Sequence, residues 1–98
     1  MAYRSRFKSE DIDGLFEAVL TLENEEDCYR FFEDLCTVNE LKAMAQRWQV
    51  ARLLAAKKTY SEIEDETAAS TATISRINKC LLYGAEGYKK VLEKLERK

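Results

Sequence analysis

The sequence has no histidine and no proline, and it has only three glycines among its 98 residues. The absence of histidine removes the commonest general base and the commonest imidazole ligand for zinc. The three cysteines, Cys28, Cys36 and Cys80, are an odd number and have no CxxC spacing. We therefore predict no metal site, no cofactor and no disulfide framework, and we expect the reducing cytoplasm as the compartment.

Long apolar runs and catalytic motifs are missing as well. No run approaches the roughly 20 apolar residues that span a bilayer. The basic start, residues 1–8, is not followed by an apolar stretch, so we expect no secretory signal. With no nucleophile elbow and no glycine-rich loop to cradle phosphates, the sequence does not predict an enzyme.

The composition and the helix-start signals predict an all-α fold of six helices in one domain, residues 1–98. Glu, Lys, Leu and Ala are abundant, and all favour helix. Ser9, Asn24 and Ser70 or Thr71 are candidate N-caps, and capping boxes begin at Thr37 and Thr59. These signals place the last four helices near residues 38–57, 59–66, 70–83 and 86–98, with Gly84 as a C′ residue.

The long helix at 38–57 is apolar on more than one face, which predicts that it buries two sides. A chain of 98 residues has few other residues with which to bury both apolar faces of this helix. A second copy of the chain is the simplest cover, so residues 1–58 are predicted to form a homodimer. Trp48 is expected in the core or in this interface. The apolar residues concerned are Leu41, Met44, Ala45, Trp48, Val50, Ala51, Leu53, Leu54 and Ala55.

Residues 59–83 have the pattern of a helix-turn-helix, and residues 85–98 are predicted to form a separate C-terminal helix. Ile63 anchors the first helix of the pair, and Ile74, Ile77 and Leu81 anchor the second at i, i+3 and i+7. Small residues form the turn, where Ala68 takes a place usually held by glycine. Alanine there costs about 1 kcal/mol if its φ is positive.

Charge separates along the chain in a way that suits DNA. Residues 1–50 contain 11 acidic and 6 basic residues, whereas residues 51–98 contain 7 acidic and 10 basic residues. The outer face of the second helix has small hydroxyl side chains and two cations, suited to a major groove and its phosphates. The predicted DNA-binding residues are Thr59, Ser61, Ser70, Thr71, Ala72, Ser75, Arg76 and Lys79.

Two other interpretations of this pattern stay open. The pair of helices can be an ordinary solvated hairpin, or the fold can be a protein-interaction module that uses its acidic N-terminal half. The basic residues Arg4, Arg6 and Lys8 can likewise form an arm on the DNA backbone or a solvated terminus.

Three segments together resemble the Trp repressor superfamily: Leu53-Leu54, Thr59-Tyr-Ser-Glu-Ile63 and Ala72-Thr-Ile-Ser-Arg76. The resemblance extends from about Cys28 to Leu95 and is closest to the YerC/YecD-like branch. It implies an all-helical, intertwined homodimer whose two helix-turn-helix units enter successive major grooves. The implied function is a sequence-specific transcription regulator, a repressor on a palindromic operator in double-stranded DNA. Ser61, Thr71, Ala72 and Ser75 then face the DNA.

The resemblance also implies a possible effector pocket, formed by Gln46, Arg76, Ile77 and Cys80. In tryptophan-responsive members two arginines enclose the indole, and only the position of Arg76 is matched. Gln46 occupies the position of the other arginine, Ile77 that of a glycine and Cys80 that of a serine. We therefore predict no tight binding of L-tryptophan. Whether these side chains line a remodelled pocket or fill it stays open.

Overall fold

The computed structural model describes residues 3–97, which form six α-helices and no strand. Met1 and Ala2 of the basic start and Lys98 of the predicted last helix lie outside the described residues. No helix within that range is long and apolar enough to cross a membrane. The helices are α1 Glu10–Val19, α2 Glu25–Leu35, α3 Val38–Ala55, α4 Tyr60–Thr67, α5 Thr71–Tyr83 and α6 Gly87–Glu96.

The helix starts agree with the predicted caps. Ser9, Asn24, Thr59 and Ser70 have extended backbone conformations, and each side chain accepts a hydrogen bond from a main-chain N–H inside its helix. At Thr59 the full capping box is present, with Glu62 as the reciprocal acceptor. A polar side chain at this place satisfies a donor that the helix itself leaves unpaired.

The end of α3 and the conformation of the residue after α5 differ from prediction. Helix α3 stops at Ala55, because Lys57 adopts a left-handed conformation with φ of 67°. The N–H of Lys58 then donates to the carbonyl of Leu53, and that of Lys57 to Leu54, which is a Schellman motif. Gly84 has φ of −84° and an extended backbone, so it is not a left-handed C′ residue. It is a glycine because a Cβ would lie 2.4 Å from the Cys80 carbonyl oxygen.

The last helix also begins later than predicted. Glu86 has φ of 68° and makes no side-chain cap, so α6 starts at Gly87. Its apolar face is only partly covered. Tyr88 and Leu92 are half-buried, whereas Val91 and Leu95 are 47% and 45% exposed.

The described chain divides into two compact units, one up to Thr37 and one from Val38 onward. In the first unit neither α1 nor α2 contains a buried residue. Phe31 and Phe32 are half-buried in an edge-to-face contact. Leu35, the last residue of α2, is 48% exposed in the single chain.

The core lies in the second unit, where α3 packs against α4, α5 and α6. Val50 and Ala51 of α3 are fully buried, and Leu53 and Leu54 pack against the same core. Trp48 is half-buried and stacks on Tyr88, with ring centroids 6.2 Å apart. Contacts with these three helices cover part of the apolar surface on α3. Of its remaining apolar residues, Leu41 is half-buried, whereas Met44, Ala45 and Ala55 are exposed.

Candidate DNA interface

Helices α4 and α5 form a compact pair around a three-residue turn, residues 68–70. Ile63 of α4 and Ile74 of α5 are fully buried, and Ile77 and Ala69 are each 4% exposed. Burial of these side chains confirms that they anchor both helices to the core. The other predicted anchor, Leu81, is half-buried. The anchors occupy one side of α5, which leaves the opposite side free.

The turn between the two helices is closed by its own residues. Ala68 adopts the left-handed conformation, with φ of 60° and ψ of 15°, and its N–H donates to the carbonyl of Glu64. The Thr67 hydroxyl donates to the Ile63 carbonyl at 2.8 Å and accepts from the Ala69 N–H at 3.1 Å. The φ of Ala68 is therefore positive, and alanine at this position lowers the stability of the fold.

Two of the predicted DNA-binding residues are also helix caps. The Ser70 hydroxyl accepts from the Thr73 N–H at 3.1 Å and donates to the Thr73 hydroxyl at 3.0 Å. The Thr59 hydroxyl accepts from the Glu62 N–H at 3.2 Å. Thr59 and Ser70 thus determine where the two helices begin.

The Thr59 cap also changes the pKa of Glu62. The Thr59 N–H donates to the Glu62 carboxylate at 2.9 Å. This main-chain hydrogen bond, together with that of the Thr59 hydroxyl, lowers the pKa of Glu62 below its ordinary value of 4.5. The carboxylate is therefore charged at the positive end of the α4 dipole.

The remaining predicted DNA-binding residues are exposed and lie on the helix-turn-helix. Arg76 and Lys79 are on α5 beyond its first turn. Ser61 is in the first turn of α4. The exposed set is Ser61, Thr71, Ala72, Ser75, Arg76 and Lys79.

One acidic contact on this surface was not predicted. The Thr71 hydroxyl donates to the Glu64 carboxylate at 2.8 Å, which brings a negative charge to the start of α5. Glu64 and Thr71 are on different helices, and no spacing rule for a single helix pairs them. Only the turn conformation brings them together.

The four residues of the possible effector pocket have different surroundings. Gln46 lines a cavity of about 470 Å³ beside the end of α4. Cys80 lines an apolar cavity of about 480 Å³ with Trp48 and Tyr88. Ile77 is buried and Arg76 is exposed. The Gln46 amide donates to the main-chain carbonyl of Thr67 at 3.0 Å.

The apolar cavity contains an aromatic pair that sequence reasoning did not identify. Burial raises the pKa of Tyr88, and the nearby Cys80 thiol adds to this effect, while Arg47 opposes it. Tyr88 is on α6 and Trp48 is on α3, 40 positions earlier in the numbering. In the sequence, only the aromatic and apolar character of both residues indicated that they could pack together.

The anchored pair of helices, the left-handed turn and the exposed polar face of α5 define a helix-turn-helix protein. Residues 10–96 match the family described as Trp repressor protein. The uncharacterised protein YerC of Bacillus subtilis (strain 168) is 48% identical over 91 residues, which are 93% of this chain and 88% of YerC.

Two solved structures show the same fold. A proposed Trp repressor from Staphylococcus aureus is 47% identical, with a TM-score of 0.88 over 93% of this chain and 91% of that one. A TrpR-like protein from Eubacterium eligens ATCC 27750 is 45% identical, with a TM-score of 0.89 over 93% and 94% of the two chains. The chain belongs to the Trp repressor family, in its YerC-like branch, and is a DNA-binding transcription regulator.

Proposed function

We propose that this regulator is a homodimeric repressor that occupies a palindromic operator. Each protomer places α5 in the major groove of one half-site, and the half-sites lie about one helical turn, roughly 34–36 Å, apart. It acts on the nucleoid in the cytoplasm and does not require tryptophan. Repression follows from occupation of a promoter.

The exposed face of α5 is the observation that carries this proposal. Ser75 offers a hydroxyl to bases or phosphates, and Ala72 offers a methyl to thymine. The Thr71 hydroxyl donates to Glu64 and can still accept from a base. Arg76 can bind a guanine edge or a phosphate, and Lys79 suits a phosphate. All five are exposed, and α5 itself contains no acidic residue.

The uncovered apolar side chains support the homodimer. Phe16 and Leu20, at the end of α1, are 57% and 83% exposed in the single chain. Val91 and Leu95 of α6 are also exposed, and α1, α2 and α6 each lack a buried residue. Exposed apolar surface of this kind marks an interface, and a second copy of the chain matches the closed symmetry of most oligomers.

Independence from tryptophan is supported by the residues at the possible effector pocket. Gln46 is occupied by its hydrogen bond to Thr67, and Ile77 is buried in the core. One of the two arginines that enclose the indole in tryptophan-responsive members is replaced by Gln46. We expect isothermal titration calorimetry to detect no L-tryptophan binding in the micromolar range. A micromolar Kd would contradict this part of the proposal.

Selection of random duplex DNA by the purified protein tests operator binding. At low salt we expect sequencing of the bound pool to show one enriched palindrome. The Arg76→Glu variant should fail to enrich it, because a carboxylate then faces the phosphates. Lys94→Glu makes the same charge change on α6, outside the helix-turn-helix, and should enrich the same palindrome.

Two results would contradict the proposal. If Arg76→Glu and Lys94→Glu behave alike, α5 is not the contact surface. If the unaltered protein enriches no sequence, the acidic N-terminal half as a protein-binding surface becomes the better explanation.

A further inference from the structure

We propose that Gln46 is a positioning residue that holds the helix-turn-helix at a fixed angle to α3 before DNA is bound. The contact is the 3.0 Å hydrogen bond from the Gln46 amide to the Thr67 carbonyl, 21 residues away. Gln46 is half-buried near the middle of α3, and Thr67 is the last residue of α4. The inference deepens the proposed function and rests on it.

The Thr67 carbonyl needs a donor from outside its own helix. It is among the last four carbonyls of α4, which have no intrahelical partner. The left-handed Ala68 turns the chain away immediately afterwards, so α4 supplies no further N–H. Gln46 provides the donor and joins the turn to a different helix.

The other hydrogen bonds of the turn stay within the helix-turn-helix. The Thr67 hydroxyl binds Ile63 and Ala69, and the Thr71 hydroxyl binds Glu64. These contacts fix α4 and α5 relative to each other. They do not fix the pair relative to α3, which is what the Gln46 contact does.

A hydrogen bond adds a directional contact to the apolar packing of the pair on α3. Ile63 and Ile74 belong to one buried core with Val50, and apolar burial is itself non-directional. A hydrogen bond weakens steeply when its distance or angle changes. Beside Gln46 lies an open cavity of about 470 Å³, with Gln49 and Glu66 in its lining. That side of the turn has room to move when the hydrogen bond is absent.

The position of α5 depends on this contact because the helix begins only four residues after Thr67. A rotation at the turn moves the whole exposed face of α5, including Ser75 and Arg76. A displaced side chain on α5 no longer has the geometry that recognition of a base edge requires. Gln46 therefore acts through the turn and does not need to touch DNA.

The Gln46→Glu substitution tests this proposal, because it keeps the shape of the side chain and removes the N–H donor. At pH 7.5 the carboxylate faces the Thr67 carbonyl, and we expect operator affinity to fall about tenfold. At lower pH the protonated carboxyl can donate again. Because the facing carbonyl favours the protonated carboxyl over the carboxylate, affinity relative to the unaltered protein should recover in part between pH 7.5 and pH 5.

No histidine titrates between pH 7.5 and pH 5 in this protein, because the sequence contains none. Gln49→Glu is the matched control: it adds the same charge to the same cavity, from an exposed position three residues further along α3. We expect it to bind the operator within about twofold of the unaltered protein at both pH values. An equal loss in both variants, or a loss in Gln46→Glu that does not recover at pH 5, would overturn the proposal.

Hydrogen exchange in the free protein separates this proposal from the proposed function. At pH 7.5 the amide of Ala69 should exchange several-fold faster in Gln46→Glu than in Gln49→Glu, because the turn opens more often. Equal exchange rates would refute the positioning role even where DNA binds. If the unaltered protein enriches no DNA while the exchange rates differ, Gln46 orders the turn and only the operator function fails.

Discussion

Ala68 has the left-handed backbone conformation, and its Cβ makes that conformation unfavourable by about 1–2 kcal/mol. Glycine has no Cβ but loses more entropy on folding, which offsets part of the gain. We expect Ala68→Gly to stabilise the fold by up to about 1 kcal/mol, which raises Tm by roughly 4–8 °C. Thermal unfolding followed by circular dichroism measures this shift.

The control for Ala68→Gly is the same substitution inside a helix. Ala45 is exposed within α3, and Ala45→Gly should lower the free energy of unfolding by about 1 kcal/mol. Opposite signs for the two variants would confirm that backbone conformation, and not the lost methyl group, decides the result. A lower Tm for both would contradict it.

Single residues differ in how far the sequence predicts them. Of the anchors predicted for α5 from helical spacing, Ile74 and Ile77 are buried and Leu81 is half-buried. The contact of Gln46 with Thr67 was not predicted, because no periodicity pairs a side chain with a carbonyl on another helix. The alignment with the resembling family pointed to the Gln46 position, yet only the packed structure shows its partner.

At the scale of helices, the capping box of α4 makes stability depend on pH. The folded state lowers the pKa of Glu62, so its stabilising effect is present above the ordinary pKa of 4.5 and is lost as the pH falls through the folded pKa. In Glu62→Gln the side-chain oxygen still accepts from Thr59, but the group no longer titrates. We expect the free energy of unfolding to fall less between pH 5 and pH 3 in this variant.

Urea denaturation at a series of pH values measures this difference. Glu93→Gln on α6 controls for the removal of one carboxylate elsewhere in the second unit. The result that contradicts the argument is a pH dependence that Glu62→Gln and Glu93→Gln change equally.

The contact between α4 and α5 predicts a variant with higher affinity for DNA. Glu64 brings a carboxylate to within 2.8 Å of the Thr71 hydroxyl, on the proposed DNA-facing surface, where it repels phosphates. Gln at this position keeps the acceptor and removes the charge. We expect Glu64→Gln to bind the operator several-fold more tightly at low salt, with a smaller gain at high salt.

Fluorescence anisotropy with labelled operator at several salt concentrations tests this expectation. Glu93→Gln removes a carboxylate from α6 and should change affinity much less. Weaker binding by Glu64→Gln would mean that the carboxylate itself contacts a base, since carboxylates accept from the cytosine amino group.

Helix starts were predicted better than helix ends, for a physical reason. A start is signalled by a polar side chain that bonds the first N–H groups, and Ser9, Asn24 and Ser70 all do so. An end is signalled in sequence mainly by glycine at a left-handed residue. Here Lys57 and Ala68 take that conformation without being glycine, so the end of α3 was placed two residues too late.

At the scale of the whole molecule, the exposed apolar side chains predict a dimer. We expect light scattering at micromolar concentration to give about twice the chain mass of 11.4 kDa. Phe16→Glu places a charge on an apolar side chain that is 57% exposed on α1, and it should shift the mass toward the monomer. Its neighbour Glu17 is charged already, so Glu17→Gln should leave the mass unchanged.

A monomer mass for the unaltered protein would remove the homodimer from the proposed function. Sequence reasoning reached the dimer through the breadth of the apolar surface on α3, and the structure shows that α4, α5 and α6 cover part of it. The first unit, with no buried residue in either helix, is the stronger argument, and it emerged only from the structure.

The two sides of α5 respond to mutation in different ways. Ile74 and Ile77 are buried, so changes there create cavities or strain. Thr71, Ala72 and Ser75 are exposed, and exposed substitutions usually alter stability by about 0.5 kcal/mol or less. Under the proposed function, operator preference can drift between lineages while the scaffold is conserved. A protein engineer can retarget such a regulator by exchanging these few outward side chains.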